Sequence, residues 1–285
     1  MIDLHVHSTF SDGSFTPGEL VAKGLDAGLT AMALTDHDGT GGLDQFLSAC
    51  DEEINGRKLI GVAGVEISVD VARGTMHILG YFVNHKDFGL EESLKKIREG
   101  RKIRNGKILQ KLNDLGFALT WDEVASFAGE DVVGRPHFAQ AMISKGYVSS
   151  SEKAFDLYLK RGKPGYADRF RLSPEDGIKA IRGARGVAVL AHPSTLDLDS
   201  RALRSYTAKL REIGLQGIEA YYPEHSQAHV REYTALAADF DLVMTGGSDF
   251  HGSANPNMRL GVGFGSLSVP DNVVDKLLRK REQAL

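Results

Sequence analysis

The stretch Met1-Ile2-Asp3-Leu4-His5-Val6-His7-Ser8-Thr9-Phe10-Ser11-Asp12 decides how the rest of the chain is read. Its apolar start, Met1 to Leu4, predicts a short strand. In a strand, residues i and i+2 point the same way, so His5 and His7 project together at its carboxyl end. Asp12 follows within one loop length. Two imidazoles and a carboxylate converging at a strand end form a donor set for a metal ion. A His-x-His pair alone is a weak signal, so the reading depends on whether such residues recur at other strand ends.

They do recur. Thr16-Pro17-Gly18-Glu19 opens a predicted helix with an N-cap, a proline at the first helical position and a capping-box glutamate, and Gly28 ends it. Ala31 to Leu34 is a predicted strand ending in Thr35-Asp36-His37-Asp38-Gly39. After a helix from about 43 to 55, a strand from Leu59 to Val69 contains Glu66, a lone carboxylate in an apolar run. Such a carboxylate is costly unless paired or bound to a cation. Met76 to Val83 is the next predicted strand, with His77 near its start.

Strand signals then stop. The interval 98–168 reads as helical throughout: 90–115, 121–127, 136–145 and 151–160. Its first helix is strongly basic, carrying Lys95, Lys96, Arg98, Arg101, Lys102, Arg104, Lys107 and Lys111. The strand–helix alternation resumes with Ser173-Pro174-Glu175, a strand from Gly186 to Ala191 before His192, a strand from 217 to 220 containing Glu219, and a strand from 242 to 245 before Gly246-Gly247-Ser248-Asp249-Phe250-His251. A charged amphipathic helix, 270–285, completes the chain.

Composition sets the class. The chain has 285 residues, 42% hydrophobic and 25% charged, with a formal net charge of -4. That is ordinary for a globular protein with a large core, and it argues against a general nucleic-acid coat. With one cysteine, Cys50, a disulfide framework is excluded, and Cys50 is expected to be buried rather than reactive. Neither a signal-peptide pattern nor a long apolar stretch is read, so the expectation is a cytoplasmic enzyme with no membrane association and no obligate protein partner.

Repeated strand–helix units imply a parallel α/β sheet, and about seven of them suggest a closed barrel whose chemistry gathers at the strands' carboxyl ends. His5, His7, Asp12, His37, Glu66, His77, His192, Asp249 and His251 lie at or near such ends or in strands. Nitrogen and oxygen donors without thiolates suit Mn²⁺, Fe²⁺ or Zn²⁺, and nine donors exceed what one ion takes. Two or three divalent ions, Mn²⁺ first, are therefore expected. Asp36 and Asp38 read either as ligands or as turn and capping residues. Glu219 is a weaker ligand candidate, and His85, His225 and His229 read as surface histidines.

His-Val-His-Ser-Thr-Phe-Ser-Asp-Gly at 5–13, Thr-Asp-His-Asp at 35–38, Gly-Val-Glu-Ile at 64–67, Ala-His-Pro at 191–193 and Gly-Ser-Asp-Phe-His at 247–251 resemble the PHP (polymerase and histidinol phosphatase) family. The resemblance implies a distorted (β/α)₇ barrel with a trinuclear metal site that hydrolyses phosphoesters. By that resemblance, His5 and His7 serve one ion with Glu66 bridging and Asp249 completing it. Asp12, His37 and His251 serve a second ion, and His77 and His192 a third. The helical insert resembles the branch that removes phosphate from nucleoside 3′,5′-bisphosphates and trims short 5′-phosphorylated RNA. The expected domains are a barrel from 1–97 and 169–285, with an inserted all-helical lobe at 98–168.

Clustered cations neutralise phosphoryl oxygens and lower the pKa of a bridging water, which gives the attacking hydroxide. Asp249 is expected to act as ligand and proton acceptor. Arg104 and Asn105 share a helix face with Arg101, with Lys102 flanking, and Arg135 stands at a helix N-terminus after Gly134. These residues are expected to hold the rest of a nucleotide, and His137 reads either as a substrate contact or as a helix-start residue. The competing functions are a 5′–3′ exonuclease on short oligoribonucleotides, a histidinol-phosphate phosphatase and a non-catalytic structural module.

Overall fold

The fold was analysed from a computed structural model, which describes residues 1–54, 56–128 and 133–283. Two compact units are present: residues 1–95 together with 172–285, and residues 96–171.

The first unit is built on a seven-stranded sheet in sequence order: β1 Ile2–Val6, β2 Ala31–Leu34, β3 Ile60–Val69, β4 Met76–Tyr81, β5 Val187–Leu190, β6 Gly217–Tyr221 and β7 Val243–Gly246. The sheet curls until its ends meet. A parallel bridge joins Val6 to Phe250, just past β7. Asp249 N–H donates to the His5 carbonyl at 2.8 Å, and His7 N–H donates to the Phe250 carbonyl at 3.0 Å. Gly247 permits this approach, because a Cβ there would stand 2.3 Å from His5 N.

The sheet is not wholly parallel, which corrects the expectation drawn from repeated strand–helix units. β3 pairs antiparallel with β4, and β4 antiparallel with β5. The reason is local: only the short segment 70–75 joins β3 to β4, and a connection without a crossover helix returns the chain antiparallel. The remaining neighbours, β1–β2, β2–β3, β5–β6 and β6–β7, are parallel.

The helices of this unit follow their sequence signals. α1 Pro17–Asp26 is opened by the Thr16/Glu19 capping box, and Gly28, at φ 81°, turns the chain out of it. α2 Leu43–Asp51 follows β2, and the segment from Phe88 to Lys95 begins the long helix α3 Phe88–Asp114. α7 Pro174–Gly183, α8 Ser200–Ile213, α9 Gln227–Asp239 and α10 Val273–Glu282 appear later in the barrel. One buried cluster joins Leu4, Val62, Leu79 and Val189 from the strands to Val273 and Leu277 of α10. Cys50 is buried at 4% exposure.

The second unit holds no strand among its described residues. It contains the rest of α3, then α4 Trp121–Ala125, α5 Arg135–Ser144 and α6 Ser151–Ala154, which continues into a π-helical turn at Phe155–Leu159. Ile108 and Leu112, one helical turn apart on α3, bury against Leu119, Val124, Phe138 and Met142 to form a separate core. The unit thus has its own apolar centre, as an independently packed helical body requires.

Candidate metal centre

The nine residues singled out at strand ends come together. β1 contributes His5 and, one residue past its end, His7; β2 leads to His37; β3 and β4 carry Glu66 and His77; β5 leads to His192; the loop after β7 brings Asp249 and His251. Glu66, fully buried, is the hub. Its Oε1 stands 2.8 Å from His77 Nδ1, 3.0 Å from His192 Nε2 and 3.5 Å from His5 Nε2. Its Oε2 stands 2.7 Å from His37 Nδ1 and 3.5 Å from His7 Nε2. Asp249 Oδ1 lies 3.3 Å from His5 Nε2 and 3.1 Å from His7 Nε2. At the rim, Asp12 Oδ1 is 3.1 Å from His251 Nε2 and Asp12 Oδ2 is 3.6 Å from His37 Nε2. Donor atoms that share a cation through bonds of about 2.1 Å stand roughly 3–3.5 Å apart, so these spacings suit common ions.

The outer hydrogen bonds point the same way. His5 Nδ1–H donates to Glu219 Oε1 (2.9 Å), and His251 Nδ1–H donates to the Asp249 carbonyl (2.8 Å). His192 Nδ1 faces Thr195 Oγ1 (3.1 Å), whose own proton goes to the Thr75 carbonyl. His7 Nδ1 faces Ser11 Oγ (3.4 Å), whose proton goes to Asp36 Oδ1. Four imidazoles are therefore held by Nδ1, which turns the Nε2 lone pairs inward. His5 Nε2, His7 Nε2 and Glu66 Oε2 are buried and make no hydrogen bond among the described residues. Buried polar atoms without partners are costly, and cations bound among these donors would satisfy them. Among the described residues, three overlapping groups offer ligand atoms within 4.8 Å of one another: His7–Asp12–His37–His251, His5–His7–Glu66 and His37–Glu66–His77.

Electrostatics agree with a cation site. Burial alone would raise the Glu66 carboxyl, but the charges of His77, His37 and His5 hold it well below the usual range. Asp249 is likewise raised by burial and pulled further down by His5, His7 and His251. A carboxylate held that low is anionic and able to serve as a cation ligand. His7 is pushed down to about 3 by burial and by the neighbouring charges of His251 and His37.

Asp36 and Asp38 resolve to the capping alternative. Asp36 accepts from Ser8 N–H (2.7 Å), Ser8 Oγ (2.7 Å) and Ser11 Oγ (2.6 Å), which fixes the loop between His7 and Asp12. Asp38, at φ 54°, accepts from Ser68 N–H at 2.8 Å. Asp3, unremarked in the sequence, does the same for the last ligand loop, accepting from Ser248 N–H (2.8 Å) and Gly261 N–H (2.7 Å). The signal for Asp3 was available: an acidic residue alternating with Leu4 inside a buried strand. His85 pairs with Asp44 at 2.8 Å. His225 is half-buried rather than on the surface, with Nδ1–H donating to the Ala220 carbonyl at 3.0 Å.

In the helical unit the expected substrate residues separate. Arg104 and Asn105 are buried, at 6% and 2% exposure, while Lys102 is exposed. Arg104 sits among Arg169, Arg101, Arg135 and Arg171, and burial followed by these like charges pushes it down to about 9. Arg169 and Arg171 were missed in the sequence, because they lie outside the basic helix. Arg135, the first residue of α5, stands over the Phe155 and Tyr166 rings, 5.8 Å from each centroid. Gly134 N–H donates to His137 Nδ1 at 3.0 Å, a helix-start contact. Asn105 Nδ2 donates one of its two protons to the Val133 carbonyl at 2.6 Å, and its Oδ1 is buried without a hydrogen-bond partner among the described residues. Arg104 Nε is buried without a hydrogen-bond partner among the described residues.

The PHP domain profile matches residues 3–171. The chain belongs to the PHP domain family. Within that family it is similar to a 3′,5′-nucleoside bisphosphate phosphatase of Chromobacterium violaceum, 35% identical over 88% of this chain and 87% of that one. It is also similar to the 5′-3′ exoribonuclease Rnm of Salmonella typhimurium, 31% identical over 87% of this chain and 84% of that one. A solved structure of a Chromobacterium violaceum amidohydrolase with bound sulfate and no metal aligns with a TM-score of 0.84 and 32% identity, covering 98% of this chain and 96% of that one. No helix among the described residues is long and apolar enough to cross a membrane.

Proposed function

We propose that this protein is a metal-dependent phosphatase that removes the 3′-phosphate of nucleoside 3′,5′-bisphosphates, such as adenosine 3′,5′-bisphosphate to AMP and phosphate. The observation that carries the reading is the inward convergence of His5, His7, His192 and His251 Nε2 atoms on Glu66, Asp249 and Asp12. Two or three divalent ions, Mn²⁺ in the first place, would be held there by these residues with His37 and His77. Bound cations supply charge neutralisation of the phosphoryl oxygens and acidify water near neutral pH. Glu66, anionic and shared between imidazoles on both of its oxygens, keeps the donors in register. Asp12, half-exposed at 36%, stands at the open rim where an anionic ester would enter.

The chain carries a second anion site of another kind. The guanidiniums of Arg169, Arg101, Arg135 and Arg171 gather around that of Arg104, with the Asp168 carboxylate beside Arg135, and a bound anion would further offset these like charges. These arginines are the proposed holders of a nucleotide's second phosphate. That favours a 3′,5′-bisphosphate over histidinol phosphate, which has one. Short 5′-phosphorylated RNA is the second reading, favoured by the similarity to an exoribonuclease.

The test is phosphate release from adenosine 3′,5′-bisphosphate, AMP, histidinol phosphate and a 5′-phosphorylated dinucleotide by metal-loaded protein. The bisphosphate is expected to have the highest kcat/KM, with AMP as product. Faster cleavage of the dinucleotide would move the assignment to the exonuclease, and preference for histidinol phosphate would overturn both.

A further inference from the structure

We propose that Glu219 and Tyr222, on and just after β6, are positioning residues that brace three of the metal-site side chains without touching an ion themselves. β6 supplies no donor to the centre described above, yet it lies between β5 and β7 in the sheet. Glu219 is fully buried. Its Oε1 accepts the His5 Nδ1 proton at 2.9 Å, and its Oε2 accepts the His192 backbone N–H at 2.7 Å. Both oxygens are thus engaged away from the centre, which removes Glu219 as a ligand and gives it another task. It fixes the His5 tautomer so that Nε2 carries the lone pair, and it fixes the backbone at His192, where φ is 22°, an unusual value for a non-glycine residue.

Tyr222 acts on the third side chain. Its O–H donates to Asp249 Oδ2 at 3.0 Å, while Asp249 Oδ1 faces His5 Nε2 and His7 Nε2. One oxygen is held from outside and the other is presented to the centre. Asp249 is itself at φ 54°, so its orientation needs such support. The Tyr222 ring is kept in place by the His192 ring at 5.5 Å and the His225 ring at 5.0 Å, and His225 is anchored by its bond to the Ala220 carbonyl. A leucine in place of Glu219 would spare the cost of burying a carboxylate. The acid is accounted for by what it orients.

The inference rests on the metal-centre reading and not on the choice of nucleotide. Its test is Mn²⁺ affinity of the full-length, chelator-stripped protein, measured by electron paramagnetic resonance titration, for the wild type, Glu219→Gln and Tyr222→Phe. In Glu219→Gln only one of the two accepting oxygens remains, so either His5 Nδ1–H or the His192 N–H is left facing an NH₂ group. Mn²⁺ binding should weaken by about 10- to 100-fold. Tyr222→Phe keeps the ring and loses only the donor; Mn²⁺ binding should weaken by about tenfold, with kcat reduced and KM nearly unchanged. Nitrogen-15 histidine spectra of the zinc-loaded protein should show a protonated His5 Nδ1 in the wild type and an altered His5 signal in Glu219→Gln. If Glu219→Gln does not fold, Tyr222→Phe, whose metal-free unfolding midpoint should match the wild type, carries the test. Wild-type Mn²⁺ affinity in either variant would overturn the role of that residue. Weakened Mn²⁺ binding in a protein inactive on bisphosphates would overturn the substrate and leave this inference standing.

Discussion

His192 Nε2 lies 3.0 Å from Glu66 Oε1, although 126 positions separate the two residues in the chain. The same oxygen stands 2.8 Å from His77 Nδ1, so one buried carboxylate ties the middle of the sheet together. Glu66→Gln puts an NH₂ group among imidazoles and removes the charge that cations would share. Metal content should fall, and kcat/KM should drop by at least about 100-fold. Elemental analysis and steady-state kinetics of the same preparation check both.

His251 and Asp12 form the rim of the centre, 3.1 Å apart, and group with His7 and His37 rather than with His77. His251→Asn should therefore remove the ion held with Asp12 and His37 and spare the remainder. The expected result is a lower metal-to-protein ratio that does not reach zero, read by elemental analysis after dialysis. Retention of the wild-type ratio would mean that His251 is not a ligand.

The arginine cluster predicts a split between substrates. Each charge-assisted contact contributes roughly 1.5–3 kcal/mol, so Arg104→Ala or Arg135→Ala should lower kcat/KM for a nucleoside 3′,5′-bisphosphate by about 10- to 150-fold. An aryl phosphate, with no second anion, should be affected much less. Equal losses on both substrates would place these arginines at the scissile phosphate.

Phe138 is fully buried in the core of the helical unit, which is separate from the core of the barrel. Phe138→Ala should cost about 3–5 kcal/mol there. Amide hydrogen exchange is expected to accelerate across 96–171 while β1 and β5 stay protected. Equal loss of protection in both units would show that they unfold as one.

Much of this centre was legible because a metal site needs residue types that stand out. His5, His37, Glu66 and His192 interrupt or end apolar strands, where polar residues require a reason. The strands followed from short apolar runs, and helix boundaries from cap and glycine signals, as at Thr16 and Gly28. The antiparallel β4 was not legible, because a strand's apolar pattern does not carry its direction; only the short 70–75 connection hints at it. Asp3 and Tyr222 escaped, and Glu219 was read only as a possible ligand, for a different reason. Their work is to accept or donate a bond to a residue far away in sequence: Asp3 and Ser248 are 245 positions apart, and His5 and Glu219 are 214. Arg169 and Arg171 join Arg104 only through the fold of the helical unit, and Asn105's amide direction depends on Val133, 28 positions later.

The central claim is that these side chains assemble a multinuclear centre for phosphoester hydrolysis. The most direct measurement restores Mn²⁺ stepwise to chelator-stripped protein and follows phosphate release from adenosine 3′,5′-bisphosphate together with bound metal per chain. Activity should be near zero without metal and should keep rising beyond one equivalent of bound Mn²⁺ before it saturates. Full activity in the stripped protein, or saturation at a single bound ion, would contradict it.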